Sequence, residues 1–248
     1  MNIFRTFWRA VRELFDEMFI LFITNLLWGL INLPLIFCVV LVVLSASPVM
    51  LVVALVVALI PFGPSNAGLF TIAQRVTEGR TSSWRDFIAG MRSYARLSWK
   101  IYGLWVVGLG LILFNLQFYN MNGSQIAALL SVLFLYLLLV WCALLIYLGP
   151  LMLLQEDKRV RTIARNAALM VFGRPVFTLG TLVLMIIIAV TSIWIPILAF
   201  AISFAFLGLW GFRATLTLVS EAEARQERLA AGNAPAAKGR GGQVRPRE

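Results

Sequence analysis

Histidine is absent from this chain, and cysteine occurs only as Cys38 and Cys142. Without histidine there is no Ser–His or Cys–His pair to activate a nucleophile, and no zinc framework that uses imidazole. Two isolated cysteines with no C-x-x-C spacing make neither a redox motif nor a ligand set, so both are read as small apolar side chains. No glycine-rich loop ending in Gly-Lys-Ser or Gly-Lys-Thr is present, which removes the common phosphate cradle. The expectation is a chain with no catalytic residue, no metal and no cofactor.

Charge is missing from most of the chain as well. Lys, Arg, Asp and Glu make up 13% of the 248 residues, and none of them occurs in 18–74, 101–155 or 175–212, stretches of 57, 55 and 38 residues. A helix crossing a bilayer needs roughly 20 apolar residues, so each stretch holds an out-and-back pair. The pattern predicts an all-α polytopic membrane protein with six transmembrane helices arranged as three hairpins. All 21 Lys and Arg fall within 1–17, 75–100, 156–174 and 213–248, which six spans place on one side. Basic segments resist translocation, so that side is cytoplasmic and both termini are inside.

A formal charge of +10 in a soluble protein would suggest nucleic acid. Here the charges flank apolar stretches, so the bilayer and its anionic headgroups are the expected partner and nucleic acid is not. The apolar run at 18–44 exceeds the ~7 to 15 residues of a signal-peptide core and is read as a retained span. With no acidic or basic residue deep in any span, the marks of a proton relay, a counter-ion or a carboxylate sodium site are absent.

Polar chemistry inside the membrane is left to amides and helix breaks. Asn25 and Asn32 lie seven residues apart, nearly two helical turns, so both point the same way, with Trp28 one turn beyond Asn25. Pro61, Gly63 and Pro64 interrupt the return leg of the first hairpin, and Asn66 follows the break. Two readings stand for Asn25, Trp28, Asn32, Gly63, Pro64 and Asn66. Interhelical amide bonds worth about 0.6 to 2 kcal/mol would hold the hairpin together. Alternatively, Gly-Pro interruptions mark a substrate site or pore, as they do in transporters.

Two basic segments carry aromatic residues at helical spacing. In the N-terminal segment 1–18, Phe4, Phe7, Trp8, Val11 and Phe15 fall near one face and Arg5, Arg9 and Arg12 on another, which predicts a cytoplasmic amphipathic helix leading into the membrane. In the loop 75–100, Trp84, Phe87, Ile88, Met91 and Tyr94 recur opposite Arg85, Arg92 and Arg96, and Ser83 with Asp86 forms a capping-box pattern. Trp84, Arg85, Phe87, Arg92 and Arg96 are therefore expected on a helix lying on the inner leaflet, or on one that docks a soluble partner. A second cytoplasmic loop occupies 155–174. The six-span domain covers 19–219, and a cytoplasmic tail, 220–248, is expected to be disordered beyond about 232.

The strings NLLWGLINLP at 25–34, PFGPSNAGLF at 61–70, EGR at 78–80 and WRDFIAGMR at 84–92 resemble the YesL family of bacterial multi-span membrane proteins. The resemblance covers roughly 19–219, and its first half carries most of it. It implies a multi-pass protein of the bacterial plasma membrane without established biochemical activity, often encoded beside sugar importers and polysaccharide-degrading enzymes. Its implied role is non-enzymatic: accessory to a carbohydrate uptake system, with importer subunits as partners. The helix breaks and amides sustain a second reading, a small permease or channel for a neutral solute.

Overall fold

A backbone in an apolar medium has no water to bond, so it must close its hydrogen bonds internally, and helix does this within one segment. The computed structural model describes residues 3–45, 47–121 and 124–232, and every regular element among them is helical. Residues 1, 2, 46, 122 and 123, and the tail beyond 232 that was expected to be disordered, lie outside these residues.

Helix α1, Ile3–Asp16, meets α2, Met18–Ile31, at 94°. Helix α3, Leu33–Ser45, continues α2 through Asn32, whose N–H donates to Trp28 O at 3.0 Å and whose carbonyl accepts from Ile36 N–H at 3.0 Å. The hydrogen-bond ladder therefore crosses the junction. There follow α4 (Pro48–Thr77), α5 (Trp84–Asn120), α6 (Gln125–Leu154), α7 (Val160–Gly173) and α8 (Pro175–Trp194). A single turn α9, Pro196–Leu198, and a π-helical turn, Ala199–Ser203, lead into α10, Phe204–Gly232.

Among the described residues four helices are long and apolar enough to cross a membrane, and five if the bent pair α1–α2 is one span. That is fewer than the six expected, in part because the first charge-free stretch is divided at Asn32 into helices of 14 and 13 residues. The large apolar side chains left exposed, such as Leu111 and Phe114 on α5 and Leu129 and Leu133 on α6, suit a hydrocarbon surround. Burial concentrates instead toward the charged end, where Ile72, Phe87, Tyr147, Met152, Ile163 and Phe212 are all sealed from solvent.

Helix α5 departs from the expectation of a separate surface helix before the third span. Its 37 residues form one helix of about 55 Å. Nothing between 95 and 102 stops a helix: there is no proline, no glycine and no capping residue followed by a break. The first half of α5 packs along α4 through small residues, with a Cβ on Gly68 set to fall 2.7 Å from Phe87 O. Further along, Trp105 Nε1 donates to Trp141 O and Trp141 Nε1 to Trp105 O, both at 2.9 Å, and Gly108 leaves room for the Trp141 ring.

The turn joining α4 to α5 is built from both of its ends. Arg80 N–H bonds Arg75 O and Gly79 N–H bonds Val76 O, at 2.9 and 3.0 Å, with Gly79 at φ +67°, which together close a Schellman motif. On the far side Asp86 accepts from Ser83 N–H at 2.8 Å and Ser83 Oγ at 2.9 Å, the capping box expected there. Arg75 spans the turn, pairing with Asp86 at 3.1 Å and donating to Thr81 O. Burial alone would raise the Asp86 carboxyl, but the Ser83 bonds and the nearby Arg75 and Arg80 outweigh it and hold the group below its ordinary value.

Gly79→Ala should cost about 1 kcal/mol, because a Cβ is strained at positive φ, and would be read as a lower unfolding temperature in detergent. Because Asp86 titrates lower in the fold than in the unfolded chain, its contribution is present above the ordinary carboxylate value and fades as pH falls through the lowered one. Asp86→Asn should flatten that acid-side loss of stability in a pH series.

Candidate functional site

A π turn inserts one residue into a helix and leaves peptide groups around it without their usual partners. At Ala199–Ser203 those groups are met from α2. Asn25 Nδ2 donates to Phe200 O at 2.7 Å, and Asn25 Oδ1 accepts from Phe204 N–H at 2.9 Å and from Ala205 N–H at 3.1 Å. Asn25 is only 2% exposed, so no water could replace it. From the other side, Ser192 and Ser203 share a 2.6 Å hydroxyl bond, and Ser203 Oγ donates to Leu198 O.

The proline break in α4 is closed in the same way. Pro64 has no N–H to offer Ile60 O, and Trp99 Nε1 on α5 donates to that carbonyl at 3.0 Å. Ser65 Oγ and Asn66 Nδ2 both donate to Phe62 O, at 3.1 and 2.7 Å. Asn32 Nδ2 donates to Ser65 Oγ and to Trp28 O, each at 2.8 Å, joining the α2–α3 junction to the break. Gly63 lets this part of α4 approach the Ser98 backbone, where a Cβ would lie 3.3 Å from the carbonyl carbon.

Beside this polar seam lies a cavity of about 340 Å³, lined from α2, α4, α5, α6, α8 and α10. Trp28 forms part of its wall, stacked on Phe204 with ring centroids 4.1 Å apart, and Phe62 stands edge-on to Tyr102 at 5.4 Å. Asn66 is its amide. Cys142, Met185 and Gly208 complete different sides.

The six residues singled out in the sequence therefore divide. Trp28 and Asn66 face the cavity, while Asn25, Asn32, Gly63 and Pro64 belong to dry helix packing around it. Asn25 bonds the π turn and α10, whereas Asn32 bonds Ser65 of α4 and Trp28 O. The α6 and α8 walls escaped sequence reasoning, since apolar residues at those positions read as ordinary span. The α10 wall, which includes Gly208 and Gly211, escaped it as well.

The charged end corrects two expectations. Phe87 is fully buried against α4, because it lies on the α5 face that carries Gly90 and Ser98, and so it is unavailable for docking or lipid. Trp84, Arg85, Arg92 and Arg96 do remain exposed, with the Arg85 guanidinium 5.5 Å from the Trp84 ring centroid. On α1 the expected single apolar face is two. Phe7 packs edge-on to Phe206 and Trp210, while Phe4, Trp8 and Phe15 stay exposed. Glu13 pairs through both carboxylate oxygens with Arg213 of α10, which also donates to Thr77 O at 3.3 Å.

Lys158 caps α6, donating to Met152 O and Leu153 O at 3.0 Å each, 5.6 Å from the centre of the Tyr94 ring. Burial lowers its ammonium below the usual lysine value. Among the described residues no three Cys, Asp or Glu stand close enough to hold a metal ion, and both cysteines are free thiols.

The amides should separate on substitution. Asn25→Leu leaves several buried peptide groups unpaired and should destabilise the fold by about 3 kcal/mol or more. Asn66→Ala surrenders one local bond and should cost under about 1 kcal/mol. Thermal unfolding of the two variants in the same detergent checks the order. Compared with known protein families, with curated proteins and with solved structures, the chain finds no match.

Proposed function

We propose that this chain is a non-enzymatic multi-pass protein of the bacterial plasma membrane that serves as an accessory to a carbohydrate uptake system. In this reading the six spans are α2–α3, α4, the second half of α5, α6, α8 and the first part of α10, with both ends of the chain cytoplasmic. One observation carries the accessory role over conduction: the breaks at Pro64 and at the π turn are bonded by Trp99 and Asn25 rather than left facing a water-filled path. Transporters commonly use such breaks to hold substrate, with freed backbone groups turned toward a cavity. Here they are consumed by packing.

The surface left for association is the charged end. Trp84, Arg85, Arg92 and Arg96 on α5, with Phe4, Trp8 and Arg9 on α1, form exposed basic and aromatic patches suited to anionic headgroups or an importer subunit. The choice of carbohydrate uptake rests on the resemblance to the YesL family. The permease reading keeps one supporting observation, the cavity at Trp28 and Asn66, although its mainly apolar wall suits a sugar poorly.

In-membrane crosslinking of a tagged chain should recover sugar-importer subunits, and a triple Arg85→Glu, Arg92→Glu, Arg96→Glu variant should lose them while retaining its unfolding temperature. An unchanged rate of sugar uptake on deletion, with no importer subunit crosslinked, would remove the accessory role. Vesicles reconstituted with the chain should stay impermeable to neutral sugars. Sugar flux through them would favour the permease instead.

A further inference from the structure

All of the residues that line the cavity lie within the three charge-free stretches of the chain, so no ionic group borders it. Of its lining residues, Ile186 and Ala189 on α8 are exposed, and Cys142 and Leu145 on α6 are partly exposed. The neighbouring α8 residues Val183 and Val190 are exposed and apolar, so the opening looks into the belt that suits hydrocarbon. An apolar void of this kind does not hold water well. In a bilayer, what stands outside such a mouth is lipid chain.

The volume of about 340 Å³ sits at the low end of the roughly 300–1,000 Å³ of small-molecule sites. It can take one chain and not a whole lipid. One polar side chain qualifies the otherwise apolar wall. Asn66 spends its amide nitrogen on Phe62 O, which leaves its oxygen as an acceptor. A hydroxyl is the simplest neutral group that can donate to an amide oxygen. A carboxylate or phosphate would enter an apolar site without a counter-charge.

We propose that this cavity binds an aliphatic alcohol, its hydrocarbon chain entering sideways from the bilayer between α6 and α8 and its hydroxyl donating to Asn66 Oδ1. The site is independent of the proposed association with an importer, since it uses none of the charged-end residues. Straight-chain and isoprenoid alcohols share this chemistry and differ in the methyl branches that must pass the mouth.

The test uses the full chain in nanodiscs and a hexadecanol carrying a photoactivatable diazirine in its tail. Labelling should saturate, map to Cys142, Met185 or Ile186, and be displaced by unlabelled hexadecanol but not by hexadecanoate at neutral pH. A parallel competition with an isoprenoid alcohol of similar length identifies which chain fits better. Ala189→Trp, at an exposed position, should block the mouth and abolish the saturable label. Asn66→Ala removes the acceptor at little cost to the fold and should weaken displacement about fivefold to tenfold. The proposal is overturned if labelling is unsaturable and spread over outward residues such as Leu111 and Leu133, if hexadecanoate competes equally, or if neither variant changes the signal.

Discussion

A peptide group that loses its helical partner in an apolar surround has no solvent to accept it, and this constraint organises the membrane half of the chain. Helix α10 begins with a π turn, and the peptide groups released there are bonded by one side chain from α2, Asn25. That amide fixes the rotation and depth of the first helix against the last. Trp28, one turn along, is thereby held flat on Phe204, and the stacked rings become a wall of the cavity. The proline break in α4 repeats the solution with Trp99 and the Asn32–Ser65 pair. Departures from regular helix are therefore the points at which helices are fastened.

At the opposite end, charge takes over the fastening. Glu13 and Arg213 tie α1 to α10, Arg75 and Asp86 brace the α4–α5 turn, and Lys158 closes the last carbonyls of α6. Exposed ion pairs contribute little to stability. The Glu13–Arg213 pair differs in being largely covered and bidentate, with Arg213 also bonded to Thr77 O. It holds the sharp angle between α1 and α2 that leaves Phe4, Trp8 and Phe15 pointing outward.

What could be read from the residues depended on the range of the interaction. Local chemistry was legible: the charge-free stretches mark the long apolar helices, and Ser83 with Asp86 marks the start of α5. Helical spacing also found real stripes, yet spacing does not say what will cover a stripe. Phe87 and Trp84 belong to the same pattern, and α4 covers one and leaves the other exposed. The interval of seven between Asn25 and Asn32 does not say what each amide bonds: one meets the π turn and α10, the other α4. Their partners lie 175 and 33 residues away, beyond any pattern in the chain. The π turn follows an ordinary apolar run and has no compositional mark at all. The strings that carry the family resemblance prove to be positions of this structural kind: a positive-φ glycine in EGR, a cap in WRD, and the seam around Asn32 and Pro64.

The reciprocal indole bonds between Trp105 and Trp141 give the bundle an uneven stiffness. Each ring is bonded to the backbone of the other helix, so α5 cannot roll against α6 without breaking both bonds, whereas among the described residues the hydrogen bond between α8 and α6 is one buried hydroxyl pair, Tyr147 with Thr178. Turning α8 against α6 therefore breaks fewer directional bonds than turning α5 against α6, so the two seams of α6 differ in how firmly their rotation is set.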